Sequence, residues 1–181
     1  MTRLLHSITA FSPALLASGF LVQAAGAQVE DPNLTRIPAG YREWKLISVA
    51  REQGKQDDIR AVLGNDIAIK AYREGITPFP DGAIIARIAW NLVPSEENNK
   101  AFGQEQSWVA GIPKNGVQFM FKDAQKYAAT GGWGYAQFGE TDGKPVVDAA
   151  KLAACYNCHK PAAAHDFVFT RYSLAGLAGE K

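Results

Sequence analysis

The sequence predicts an α+β fold, mainly an antiparallel β-sheet with two or three flanking helices. Three observations predict it. Hydrophobic residues make up 47% of the 181 and charged residues 20%, the balance of a chain that folds around a core. Seventeen glycines and nine prolines cut the chain into short segments, which favours strands joined by turns. The segments between those turns are rich in β-branched and aromatic residues. Lys plus Arg is 19 and Asp plus Glu 18, a net charge of +1, so no general basic field marks a nucleic-acid binder. Two cysteines are too few for a disulfide scaffold.

Residues 1–27 read as a secretory signal peptide. Arg3 gives a weakly basic start, Ile8 to Val22 is mostly apolar and uncharged, and Ala25-Gly26-Ala27 supplies the small-residue cleavage pattern. A transmembrane anchor is the weaker reading, because Pro13 and Gly19 interrupt the run and about 20 apolar residues are needed to span a bilayer. The expected mature protein is residues 28–181, one domain, exported to the periplasm and free of the membrane once processed.

Residues 28–40 carry Pro32, Pro38 and Gly40 and are expected to form an extended arm. Tyr41 to Val49 is a strand by composition, Gln53 to Asp58 a polar connection, and Ile59 to Leu63 a second strand. Asn65 then caps a helix over 66–74. Asp66 suits its positive start and Gly75 its end, with Ile67, Tyr72 and Ala71 or Ala68 as the buried stripe. Pro78 to Gly82 is a turn, and Ala83 to Val93 the most apolar segment, a central strand. Pro94 to Gln104 reads as a polar loop. Trp108 to Ile112 and Val117 to Phe121 read as two strands around Pro113-Lys114-Asn115-Gly116. Asp123 can cap a second helix through Ala129, stopped by Gly131-Gly132. Trp133 to Phe138 is a further strand, Asp142-Gly143 a turn, and a last helix runs from Val147 or Asp148 to Ala154.

The motif that carries chemistry is Cys155-Tyr156-Asn157-Cys158-His159. C-x-x-C-H reads as the attachment site of one covalent haem c. Two thiols add to the two vinyl groups on one haem edge, and the adjacent imidazole becomes an iron ligand. Cys155, Cys158 and His159 are therefore the cofactor-binding residues, and His159 the metal ligand. A thioredoxin-like redox pair, a zinc site and a tight disulfide compete. The first would open an early helix, whereas this motif is close to the C-terminus. The second lacks further ligands, His165 being the other histidine after the leader. A second axial ligand is hard to find. Met120 falls inside a strand pattern between Phe119 and Phe121 and reads as core, and His165 is too near His159 to reach the opposite haem face. The iron is expected to be five-coordinate, open to small ligands.

These residues together resemble the cytochrome P-460 family, which includes cytochrome c′-beta. The resemblance rests on Tyr41-Arg42-Glu43-Trp44, on Phe79-Pro80-Asp81-Gly82, and on Val117-Gln118-Phe119-Met120-Phe121-Lys122-Asp123. It continues in Gly132-Trp133-Gly134, in the haem motif with Lys160, and in Phe167-Val168-Phe169-Thr170-Arg171-Tyr172. It implies a mostly antiparallel β fold with C-terminal haem attachment, and a homodimer. It also implies one of two activities: oxidation of hydroxylamine by a haem cross-linked to lysine, or binding of nitric oxide or another diatomic at a five-coordinate haem. The cross-linking lysine would stand where this chain has Arg87, and a distal glutamate where it has Gln118. A guanidinium stays protonated and is a poor nucleophile, and an amide takes no proton at neutral pH. Arg60 does match an arginine of the oxidising branch.

The distal candidates are therefore Arg60, Arg87 and Gln118, and the expected function is binding of a small nitrogen-oxide or diatomic ligand. Hydroxylamine oxidation and electron transfer to a periplasmic redox partner are the alternatives. Phe79, Phe119 and Phe121 are candidates for walls of the ligand pocket, and Trp133 for packing against the haem or the sheet. Lys160 and Arg171 are candidates for pairing with haem propionates, and Gly132 and Gly134 for close backbone approach.

Overall fold

Five strands pair in chain order to make one antiparallel sheet, β1 (Lys45–Glu52), β2 (Asp58–Gly64), β3 (Ile84–Pro94), β4 (Trp108–Lys122) and β5 (Trp133–Phe138). The computed structural model describes residues 31–54, 56–139, 141–146 and 149–173. The leader expected over 1–27 and the helix start at Val147 or Asp148 lie outside the described residues. The α+β expectation agrees with the observed sheet. Among the described residues four α-helices accompany it: α1 (Pro32–Thr35), α2 (Asp66–Glu74), α3 (Glu96–Phe102) and α4 (Ala149–His159).

Several boundaries differ from the expectation, each for a local reason. The extended arm holds α1, because the Asp31 carboxylate accepts from Asn33 N at 3.0 Å and Pro32 needs no partner in a first turn. Tyr41–Glu43 is a 3₁₀ turn and the strand begins at Lys45. Helix α2 has the expected caps, Asn65 and Gly75. Its buried stripe is Ala68, Ile69 and Ala71, with Tyr72 half-buried, whereas Ile67 is exposed. The loop expected over 94–104 contains α3. Ser95 caps it, Glu96 and Glu97 occupy its first turn, and Gly103 closes it with φ +71°. The two strands expected around 113–116 are one, β4, whose register with β3 breaks near Trp90.

The helix expected from Asp123 is a turn followed by a 3₁₀ segment, Ala128–Thr130. Asp123 N donates to Gly132 O at 3.0 Å, so both ends of the loop are tied and the chain must return at once to pair β5 with β4. The Asp123 carboxylate caps that turn through Lys126 N, 2.8 Å. The last helix runs past Ala154 to His159, so the Cys-His motif is its final turn and a bit more. It yields to a 3₁₀ segment, Lys160–His165, at Pro161, which has no N–H to continue an α-helix.

Strand alternation gives the sheet two different faces. Val62, Ile85, Met120, Trp133 and Tyr135 point to the side carrying α2, α4 and the C-terminal segment. Leu63, Ala86, Ile88, Phe119, Phe121 and Phe138 point to the other side, under Leu34, Ile37, Tyr41 and Trp44 of the N-terminal segment. Phe119 and Phe121 stack at 5.8 Å within that second cluster, so both rings pack the far face, although Phe119 also borders the cavity lined by His159. Phe79 packs edge-on against Trp133 at 5.6 Å in the first.

β4 kinks where Asn115 and Gly116 both adopt left-handed backbone, φ +61° and +60°. A Cβ on Gly116 would meet the Phe138 carbonyl oxygen at 1.7 Å, a main-chain atom that cannot step aside. Gly116→Ala is expected to cost at least about 2 kcal/mol, from left-handed strain plus the clash. The check is the urea midpoint followed by circular dichroism; an unchanged midpoint would mean that the kink relaxes freely.

Candidate functional site

Helix α4 sets out the first half of the site. Cys155, Cys158 and His159 stand at i, i+3 and i+4, which share one face of a helix. Both thiols are free. Cys155 is half-buried and Cys158 exposed, and burial together with the neighbouring Cys158 pushes the Cys155 thiol above its ordinary value. The His159 ring is held between Tyr135, at 5.3 Å, and Phe169, at 5.2 Å. Its Nδ1 lies 2.7 Å from the Phe167 carbonyl oxygen. A carbonyl only accepts, so Nδ1 carries the proton and Nε2 holds the lone pair of a neutral imidazole. Burial favours that neutral form by pushing the ring below its ordinary value, although the bond to Phe167 opposes the shift. The tautomer and orientation are those of a metal-ligating histidine.

Strand alternation sets out the second half. Register places Arg87 beside Gln118 and Gln118 beside Gln137, a polar row across β3, β4 and β5. Arg87 Nη1 donates to Gln118 Oε1 at 3.0 Å, and Gln118 Nε2 to Gln137 Oε1 at 3.3 Å. The other arm of Arg87 reaches Asp58 Oδ2 at 2.5 Å. Asp58 has no solvent exposure, and its second oxygen accepts from Arg60 Nε at 2.8 Å and Nη2 at 2.6 Å. Arg60 also pairs with Glu52 at 2.5 Å. Burial and the Arg60 charge push the Arg87 guanidinium down, against the opposing pull of Asp58 and Glu52.

These halves meet at one cavity of about 140 Å³. Arg60, Arg87, Gln118, Cys155 and His159 all line it, so five of the six haem-binding and distal candidates named from sequence converge there. Cys158 is not among its lining residues. Val62, Ile85, Met120 and Tyr135 supply its apolar lining. Met120 is core, as expected, and it also lines the cavity. The Tyr135 hydroxyl is buried with no hydrogen-bond partner among the described residues. A neutral imidazole, the Cys155 thiol, two guanidinium groups and an orphaned phenol around an apolar hollow, with the Cys158 thiol one helical turn away and neither cysteine in a disulfide, fit haem, a flat apolar ring carrying two carboxylates.

Other sequence candidates fall elsewhere. His165 is exposed and lines a neighbouring groove with Tyr72 and Phe79. Arg171 is exposed along that groove, and Lys160 lies over the Tyr156 ring at 5.2 Å. Gly134 does permit a close approach, since its Cβ would meet the Tyr127 ring at 2.4 Å. Sequence reasoning missed Asp58, which it placed in a polar connection. The signal was the Asp58-x-Arg60 alternation, which puts both side chains on one strand face once the strand begins at Asp58.

Thiols and an imidazole in a C-x-x-C-H turn, set over an antiparallel sheet, define a haem protein unlike the all-helical cytochromes c. The chain belongs to the cytochrome P460 family, whose family model matches residues 38–170, and so is a monohaem c-type cytochrome. No curated protein matches it.

Asp58 is the carboxylate between two guanidinium groups that are each only 17% exposed. Breaking such a cluster leaves buried cations unpaired. Asp58→Asn is expected to lower stability by about 3 kcal/mol, measured by chemical denaturation. Adding Arg87→Met should recover part of the loss; no recovery would mean that Arg87 is not held by charge.

Proposed function

We propose that this protein is an exported, periplasmic cytochrome whose single haem is bound covalently through Cys155 and Cys158. His159 is its axial ligand, and the five-coordinate iron binds nitric oxide or a similar small ligand. The observation that carries the reading is the pairing of the cavity's polar groups. Arg87 and Gln118 bond to each other, and Arg87 is anchored by Asp58. Neither supplies an amine for a cross-link or a carboxylate base. Haem iron, when bound, supplies a coordination position for the ligand. The chain's own residues hold and orient it. The Phe167 carbonyl fixes the imidazole, and Tyr135 and Phe169 keep its ring from turning. Val62, Ile85 and Met120 keep water from the apolar side of the cavity. Arg60 and Arg87 offer N–H donors to a bound ligand or to propionates. A homodimer and a periplasmic redox partner belong to the same proposal.

An electron carrier is the second reading, favoured by Met120 on the cavity wall. The visible spectrum separates the two. An open site gives a broad high-spin spectrum, and methionine ligation gives sharp low-spin bands that Met120→Leu would remove.

Two outcomes are expected of the protein expressed with haem-attachment machinery. Intact mass shows one added haem on a chain starting near Gln28, and Cys155→Ala with Cys158→Ala leaves haem extractable by acid and solvent. Apoprotein with a Cys155–Cys158 disulfide would defeat the reading. The ferrous protein binds nitric oxide and turns over hydroxylamine slowly with an added electron acceptor. Gln118→Glu with Arg87→Lys raises that turnover, because a positioned base contributes roughly 100- to 10,000-fold. Fast hydroxylamine turnover by the wild type, with a red-shifted ferrous band and a haem–lysine bond, would favour the oxidising branch instead.

A further inference from the structure

Lys122 and Asp166 form an ion pair at the other end of the same sheet face, with side chains only 4% and 6% exposed. Lys122 Nζ donates to Asp166 Oδ1 at 2.7 Å and Oδ2 at 2.9 Å, and lies 5.0 Å from the centre of the Trp133 ring. Asp166 is held twice more. Its Oδ2 accepts from Phe79 N at 2.8 Å, and its backbone carbonyl from Trp133 Nε1 at 2.8 Å. Asp166 and Phe167 both adopt left-handed backbone, φ +53° and +62°, which aspartate tolerates and the bulky Phe167 disfavours. Glycine at 131 makes room for this turn, since a Cβ there would meet the Phe167 ring at 2.2 Å. The carbonyl that follows is the one that accepts from His159 Nδ1.

A buried ion pair adds little net stability compared with well-packed apolar residues. It does fix position, and here the atom it fixes lies one residue from the pair. We propose that Lys122 and Asp166 are positioning residues for His159: the pair clamps the 166–167 turn so that the Phe167 carbonyl meets Nδ1, and so sets the strength with which Nε2 donates. This inference rests on His159 being the haem ligand. A close carbonyl pulls on the Nδ1 proton and makes the imidazole a stronger donor. A stronger donor favours the ferric state. Loosening the turn therefore weakens the iron–imidazole bond and raises the reduction potential.

The test compares haem-loaded wild type with Lys122→Met/Asp166→Asn, which removes both charges together and leaves Oδ1 of the new amide to accept from Phe79. Resonance Raman of the ferrous form should show the iron–histidine stretch at lower frequency, and a redox titration a higher midpoint. Trp133→Phe, which frees the Asp166 carbonyl by a separate route, should move both in the same direction. If the double variant is folded and haem-loaded yet keeps the wild-type frequency and midpoint, the inference falls. A measurement on the wild type stands apart from any folding defect in the variants. The Nδ1 proton should exchange slowly with solvent by NMR, and rapid exchange would overturn the clamp. His159→Ala separates the two levels. If it leaves the wild-type ferrous spectrum unchanged, the haem-ligand reading falls and takes the inference with it. If it abolishes the iron–histidine band while the double variant leaves that band unmoved, only the inference falls.

Discussion

An antiparallel strand sends successive side chains to opposite faces, and the site in this protein depends on how β4 divides them. Gln118, Met120 and Lys122 share one face, while Val117, Phe119 and Phe121 are buried within the cluster on the other. The first three reach different parts of the same region. Gln118 joins the arginine network, Met120 lines the cavity, and Lys122 anchors the turn behind His159. A slip of one residue in this register would exchange all three for valine and phenylalanine. The phenylalanines resist such a slip. Phe119 contacts Tyr41, Trp44, Phe121 and Phe138, and none of that packing survives a change of face.

Charge on the site face is handled by clustering. One fully buried carboxylate, Asp58, serves two guanidinium groups, with Glu52 adding a partly exposed partner to Arg60. Each arginine is left with donor capacity beyond these pairs, since a guanidinium has five N–H groups. That is the useful condition for a ligand site: the cations are neutralised enough to be buried and unsaturated enough to bind. The Arg87–Gln118 bond has a further consequence. It directs the amide oxygen toward the guanidinium, and the amide NH₂ toward Gln137. The row is ordered from one end to the other, and a carboxylate at position 118 would pair with Arg87 more strongly than the amide does.

Legibility in the sequence followed the range of the interactions. The α2 helix, β3 and β5 were readable because their signals are local: a cap, a glycine stop, an apolar run. The Cys155, Cys158 and His159 trio stood out because the chemistry expected of it fixes its spacing. Helix α3 was not read, because its surface residues lack an apolar stripe and only Ser95, Glu96, Glu97 and Gly103 announce it. Asp58 and Asp166 were invisible for a different reason. Each looks like an ordinary turn or loop residue until the sheet brings Arg87 to one and Lys122 to the other, across 29 and 44 positions of chain. Long-range charge pairing has no periodicity, so pattern reading passes over it.

The same distinction explains the left-handed turn at Asp166 and Phe167. A glycine would take φ above +50° at both positions without strain. Asparagine would tolerate the first. Neither would supply what the site uses. Asp166 contributes a charge that draws a buried lysine and a main-chain amide to one point, and Phe167 contributes a ring that fills the space over Gly131 and packs at 5.8 Å from Tyr156 on α4. The side chains thus hold the backbone in a conformation that Asp166 tolerates and the sterics of Phe167 oppose. A turn held that way has little freedom to drift, and the Phe167 carbonyl inherits that rigidity. A glycine turn would reach the same φ and ψ but sample its neighbours as well, and the 2.7 Å bond to His159 would become one geometry among several.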